Sequence, residues 1–124
     1  INLTDDKEAI VNKIKKAKTD TLPLPSTTEE LNGRPEAKNL LDIYSSLNSL
    51  SLEKSVKQFE GKNFSEFKES LSQVLVEKIV PISNEIKKLT NDKDFLDKIL
   101  FEGVKKAKNI ADKKVKKMHE IVGF

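Results

Sequence analysis

From Phe67 to Leu89 apolar side chains recur every third or fourth position: Phe67, Leu71, Val74, Leu75, Ile79, Ile82, Ile86 and Leu89. That spacing lines one face of a helix, whereas a strand repeats every second residue. No stretch of the chain alternates with period two over a useful length. The predicted fold is therefore all-α: an irregular helical bundle with three substantial helices plus one or two short ones. No internal repeat is visible. Pro81 interrupts the stripe chemically, because it offers no N–H to the carbonyl of Glu77, and a kink is expected there. The apolar face continues in phase beyond it, which predicts one bent helix rather than two.

The other helices follow from caps and breakers. Thr4 to Lys18 reads as a helix capped by Thr4, with Asp5, Asp6 and Glu8 early and four lysines late, matching the macrodipole. Ile10, Ile14 and Ala17 form its apolar side. Pro23, Pro25 and Gly33 then punctuate Thr19 to Gly33. A loop of about fifteen residues is long for a compact domain and is either functional or a plain surface connection. Pro35 suits a first helical position. Ala37, Leu40, Leu41, Tyr44 and Leu47 give the next helix, ending near Asn48. Ser51 and Gly61 bracket a short helix from Leu52 to Phe59. Asn63 with Glu66 starts the long one in a capping-box manner. The last helix runs from about Asp92 to Val122, with Asn91 as cap and Gly123 beyond its end. In it, Gly103, Ala107 and Ala111 invite the close approach of a neighbouring helix, which would offset the roughly 1 kcal/mol cost of a mid-helix Gly.

Composition closes off several chemistries. The 124 residues include no Cys and one His, so there is no disulfide, thiolate zinc site or paired-His metal site. No run approaches the ~20 apolar residues of a membrane span. The chain begins without Met and without a signal-peptide pattern, so it is expected to be a piece of a longer protein. Asp92, Asp94 and Asp97 lack the Gly of a calcium loop and read as helix N-terminal acids. His119 reads as a helix-end cation. Nothing assembles a nucleophile, base and oxyanion site. Arg34 is the only Arg, which disfavours dense bidentate base readout. Between Val104 and Met118 stand seven Lys and the single acid Asp112. Such a face attracts phosphates in a salt-dependent way, or is simply a solvated helix surface.

Four blocks of the chain carry a family resemblance. Residues 5–20, DDKEAIVNKIKKAKTD, resemble the stretch that follows the KMSKS loop in bacterial tryptophanyl-tRNA synthetases, with Asp5, Asp6, Ile10, Lys13, Ile14, Ala17, Thr19 and Asp20 in place. RPEAKNLLDIYSSL, Arg34 to Leu47, is similar to the family's next segment. FEGKNFSEFKESLSQVLVEKIVPI is similar through Phe59, Gly61, Phe67, Lys68, Leu71, Val74, Pro81 and Ile82. The closing helix is similar through Leu100, Gly103, Ala107, Ala111 and Gly123, followed by a terminal hydrophobic residue. The four occur in order across essentially the whole chain.

The resemblance implies that residues 1–124 form a single C-terminal helical domain that binds the anticodon end of tRNA(Trp). The catalytic Rossmann domain, with its HIGH and KMSKS motifs, is then expected upstream of residue 1. The parent would be a cytoplasmic homodimeric ligase, with no membrane association, that uses ATP with Mg to form tryptophanyl-adenylate and charge tRNA. This piece alone would hold no cofactor, metal or catalytic residue. Within it, Asp20, Arg34 and Lys18 are the candidate tRNA-binding residues, Asp accepting from a cytosine amino group and Arg pairing with phosphate or stacking on a base. Asp20 has turn geometry as an equal alternative. Asp5 and Asp6 are candidates for a hinge or a catalytic-domain contact, with helix N-terminal acids the simpler account. An apolar patch bared around Ile10, Ile14 and Tyr44 is a further expectation, as is self-association through it. The rival class is a stand-alone basic helical protein-interaction module.

Overall fold

The computed structural model describes residues 1–123. Five helices follow in order: α1 (Lys7–Lys16), α2 (Pro35–Leu47), α3 (Leu52–Phe59), α4 (Phe64–Asn91) and α5 (Lys93–Val122). A short 3-10 turn, Glu29–Leu31, sits between α1 and α2, and no strand occurs among the described residues. The all-α expectation is met. The terminal hydrophobic position of the closing sequence block lies outside the described residues.

Two caps differ from those read in the sequence. Asp6, not Thr4, caps α1, its Oδ1 accepting from the Ala9 N–H at 2.8 Å. Asp92, not Asn91, caps α5, accepting from Phe95 N–H at 3.0 Å. In both cases the carboxylate lies three residues before the N–H it accepts from, which is the reach the cap requires. Elsewhere the reading holds. Ser51 caps α3, Pro35 opens α2, and Asn63 accepts from the Glu66 N–H at 2.9 Å. α4 runs through Pro81 as one helix.

The chain divides into two compact units, one spanning Ile1–Glu85 and the other beginning at Ile86. The first has a continuous core of Ile10, Ile14, Leu24, Leu31, Leu40, Leu41, Val56, Phe59, Phe67, Leu71 and their neighbours. Burying each such side chain contributes about 1.5–3 kcal/mol. At its centre Tyr44, Phe59 and Phe67 meet with ring centroids 4.8–5.9 Å apart, two of the three contacts edge-to-face, the arrangement ring quadrupoles favour. The Tyr44 hydroxyl accepts from Gln58 at 3.0 Å, so the buried ring keeps its polar end satisfied. Ser45 and Ser55 pair at 2.8 Å between α2 and α3. Ser83 is fully buried and its hydroxyl finds no partner among the described residues.

The patch expected around Ile10, Ile14 and Tyr44 is absent: these side chains are 0%, 4% and 7% exposed. The apolar stripes of α1 and α2 are spent on this core. Most of the exposed large apolar side chains lie instead on the second unit. There α5 buries none of its residues, and Ile99, Leu100, Phe101, Val104, Ile110 and Met118 are half or more exposed. The close helix contact expected at Gly103 is also absent, since a Cβ built there meets nothing within 4 Å.

Candidate nucleic-acid interface

The irregular stretch after α1 is held from both sides. Leu24 and Leu31 anchor it in the core, at 3% and 2% exposure. Its backbone is tied to the α3–α4 connection by two hydrogen bonds. Leu24 N–H donates to the Lys62 carbonyl (2.9 Å), and Gly61 N–H donates to the Leu24 carbonyl (3.1 Å). α1 is tied to α4 by Lys68, whose ammonium donates to the Ala17 carbonyl at 2.6 Å. That bond satisfies a carbonyl at the end of α1, where a cation is favoured.

Asp20 and Arg34, fourteen residues apart, are brought together. Arg34 donates from Nε to Asp20 Oδ2 (2.9 Å) and from Nη2 to Asp20 Oδ1 (2.8 Å). This is the two-bond fork that guanidinium and carboxylate planes allow. Nη2 also donates to the Pro23 carbonyl at 3.0 Å, and the guanidinium carbon lies 5.8 Å from the Phe64 ring centre. Asp20 Oδ1 further accepts from Leu22 N–H at 2.9 Å, closing an Asx turn. The Arg34 guanidinium beside Asp20 holds its carboxyl below the ordinary value of 3.8, with the Leu22 N–H acting in the same direction against partial desolvation. The Arg34 side chain is 14% exposed and that of Asp20 33%. The pair fixes the shape of the loop's ends. Turn geometry, the alternative reading of Asp20, is the role the bonds describe.

Lys18 follows the C-cap of α1 and is exposed. Asp5 and Asp6 are occupied locally. Asp6 is the cap of α1. Asp5 accepts from Asn2 N–H and pairs with Lys13 at 2.6 Å, and that ammonium is the main reason its carboxyl titrates below 3.8.

Two features had no signature in the periodicity. Lys68 was read as part of a family block, but its bond to Ala17 spans 51 residues and no local pattern announces it. A cleft of about 800 Å³ lies between α1 and the first half of α4, lined by Val11 and Val76 with Lys7, Lys15 and Lys68 around them. No group of three His, Asp or Glu side chains among the described residues is placed to hold a metal ion. No described helix is long and apolar enough to cross a membrane.

Comparison with known proteins bears out the resemblance. No family model matches the chain. Individual proteins do, over all 124 residues. The chain is 44% identical to a tryptophan–tRNA ligase of Agrobacterium fabrum. It is 42% identical to one of Brucella melitensis and 45% identical to one of Rickettsia felis. It spans only 35%, 35% and 37% of their lengths, and the matched part is their C-terminal region.

Proposed function

We propose that this chain is the C-terminal, tRNA-facing region of a tryptophan–tRNA ligase. The observation that carries the reading is the 41–45% identity, unbroken over the whole chain, to ligases of which it spans about a third. The helical core and the tied loop give that reading a physical form. On this reading the remaining two-thirds of the protein holds the catalytic Rossmann domain. It binds ATP with Mg and tryptophan, forms the adenylate and pairs as a homodimer in the cytoplasm.

The loop between α1 and α2 meets the anticodon end. Asp20 and Arg34 keep its ends in register, and Lys18 offers an exposed cation to a neighbouring phosphate. Single-stranded anticodon bases are the part of a tRNA whose edges a protein can read. A loop held to the core by Leu24 and Leu31 suits that task, because its backbone is already ordered before binding. Asp5 and Asp6, before and at the start of α1, lie where the chain passes from the catalytic domain. The apolar side of α5 is covered by the rest of the ligase.

The test compares the complete ligase with the 124-residue chain. The complete protein is expected to exchange pyrophosphate into ATP with tryptophan and to charge tRNA(Trp), while the chain alone does neither. Exchange by the chain alone contradicts the reading. So does a complete protein that binds tRNA(Trp) no better than a tRNA with a changed anticodon.

A further inference from the structure

The two sides of α5 differ in chemistry. At 3.6 residues per turn, Leu100, Val104, Ala111, Val115 and Met118 share one side. Lys105, Lys106, Lys113, Lys116 and Lys117 fall on the half of the helix away from them. All ten are exposed. None of the five lysines is held in an ion pair among the described residues. Asp112 and Glu120 are the only acids between Val104 and Val122.

We infer that this lysine side of α5 holds the phosphate backbone of the tRNA without reading its sequence. The inference rests on the ligase assignment and adds to it a second contact, chemically unlike the loop. Two observations favour RNA phosphate. The cations are uncompensated, and Lys105 to Lys117 spans about 18 Å of helix, long enough to follow several phosphates rather than one. They are lysines, point charges without the planar fork that selects a base edge. Lys108 and Lys114 lie instead at the borders of the apolar side. With the apolar side covered by protein, the lysine side faces outward.

The experiment uses the complete ligase and its variant Lys105→Gln, Lys106→Gln, Lys113→Gln, Lys116→Gln, Lys117→Gln. Each is titrated with tRNA(Trp) and with the same tRNA carrying a changed anticodon, across about 50–200 mM salt. Each phosphate contact contributes roughly 0.7–0.9 to the slope of log affinity against log salt. The five changes should make that slope shallower by about 3.5–4.5 and weaken binding more than about tenfold at the lowest salt. The ratio between the two tRNAs should stay within about twofold, because the contact is blind to sequence. The five Lys→Arg changes should restore the slope, which separates lost charge from a damaged helix. An unchanged slope overturns the inference, as does lost discrimination at constant slope. It also fails if the five Gln changes abolish binding to phosphatidylserine vesicles while leaving tRNA binding intact. If the unaltered ligase does not bind tRNA(Trp) at low salt, the ligase assignment itself fails, a result distinct from the others.

Discussion

α4 and α5 are nearly equal in length, 28 and 30 residues, and both carry an apolar stripe, yet they live differently. α4 buries Phe64, Phe67, Leu71 and Leu75, while α5 buries nothing. The contrast shows that periodicity reports a helix and its apolar side, but not whether that side is covered. α4 is held by the core it helps to build. α5 is held by its own backbone ladder, by Asp92 at its start and by the left-handed Gly123 at its end. With no side chain buried against a core, α5 draws on length and propensity where α4 draws on packing.

The sharpest way to break this contrast is to remove a large side chain from each helix. Phe67→Ala should cost about 3–5 kcal/mol in urea unfolding of the chain. Val104→Ala, on the exposed stripe of α5, should change stability by less than about 0.5 kcal/mol. Similar losses at both sites would mean that α5 is packed in solution. Within the first unit, Arg34→Met tests how much of the loop rests on polar contacts. It should cost about 1–2 kcal/mol and speed amide exchange at Leu22 and Leu24, leaving α5 unaffected.

Gly103→Ala probes the bare helix directly. With open space around the added methyl, it should raise the stability of α5 by roughly 1 kcal/mol, read as slower amide exchange along that helix. On the proposed assignment, the sign should reverse in the complete protein if a neighbouring backbone lies against Gly103. The smallest effect is that of acid. Asp20 and Asp5 have carboxyls depressed by Arg34 and Lys13 respectively. A depressed folded value means that the stabilisation is full above the ordinary 3.8 and is lost as pH falls through the lowered values. Unfolding midpoints should therefore drop below about pH 4, and Asp20→Asn should flatten part of that drop.

Much of the helical frame was legible because its signals are local. Pro35, Ser51 and Asn63 each act within a turn, and one helix runs through Pro81, although beyond it Ile82 is exposed and Ser83 takes the buried position. Thr4 and Asn91 misled because a better capping side chain, Asp6 or Asp92, stood close by in sequence. The 3-10 turn at Glu29–Leu31 escaped notice because three residues are too few to show a period. At the candidate site Asp20 and Arg34 were both singled out, but nothing in the sequence said that they bind each other, since the pairing depends on the path of the intervening loop. The apolar patch was placed on the wrong helices for a related reason. Ile10 and Ile14 on α1, and Leu40, Leu41 and Tyr44 on α2, follow the same three-and-four spacing as the α5 stripe, and only the tertiary arrangement decides which stripe finds a core.

Gly61 has a left-handed backbone, φ +68°, and gives its N–H to Leu24. The connection between α3 and α4 and the stretch leading to Arg34 therefore share a fastener. A bulkier residue at Gly61 meets no clash in space but strains this backbone. The proline-rich segment can thus be loosened by remote control, from a residue 27 positions beyond Arg34 whose N–H bonds to Leu24 rather than to Asp20 or Arg34.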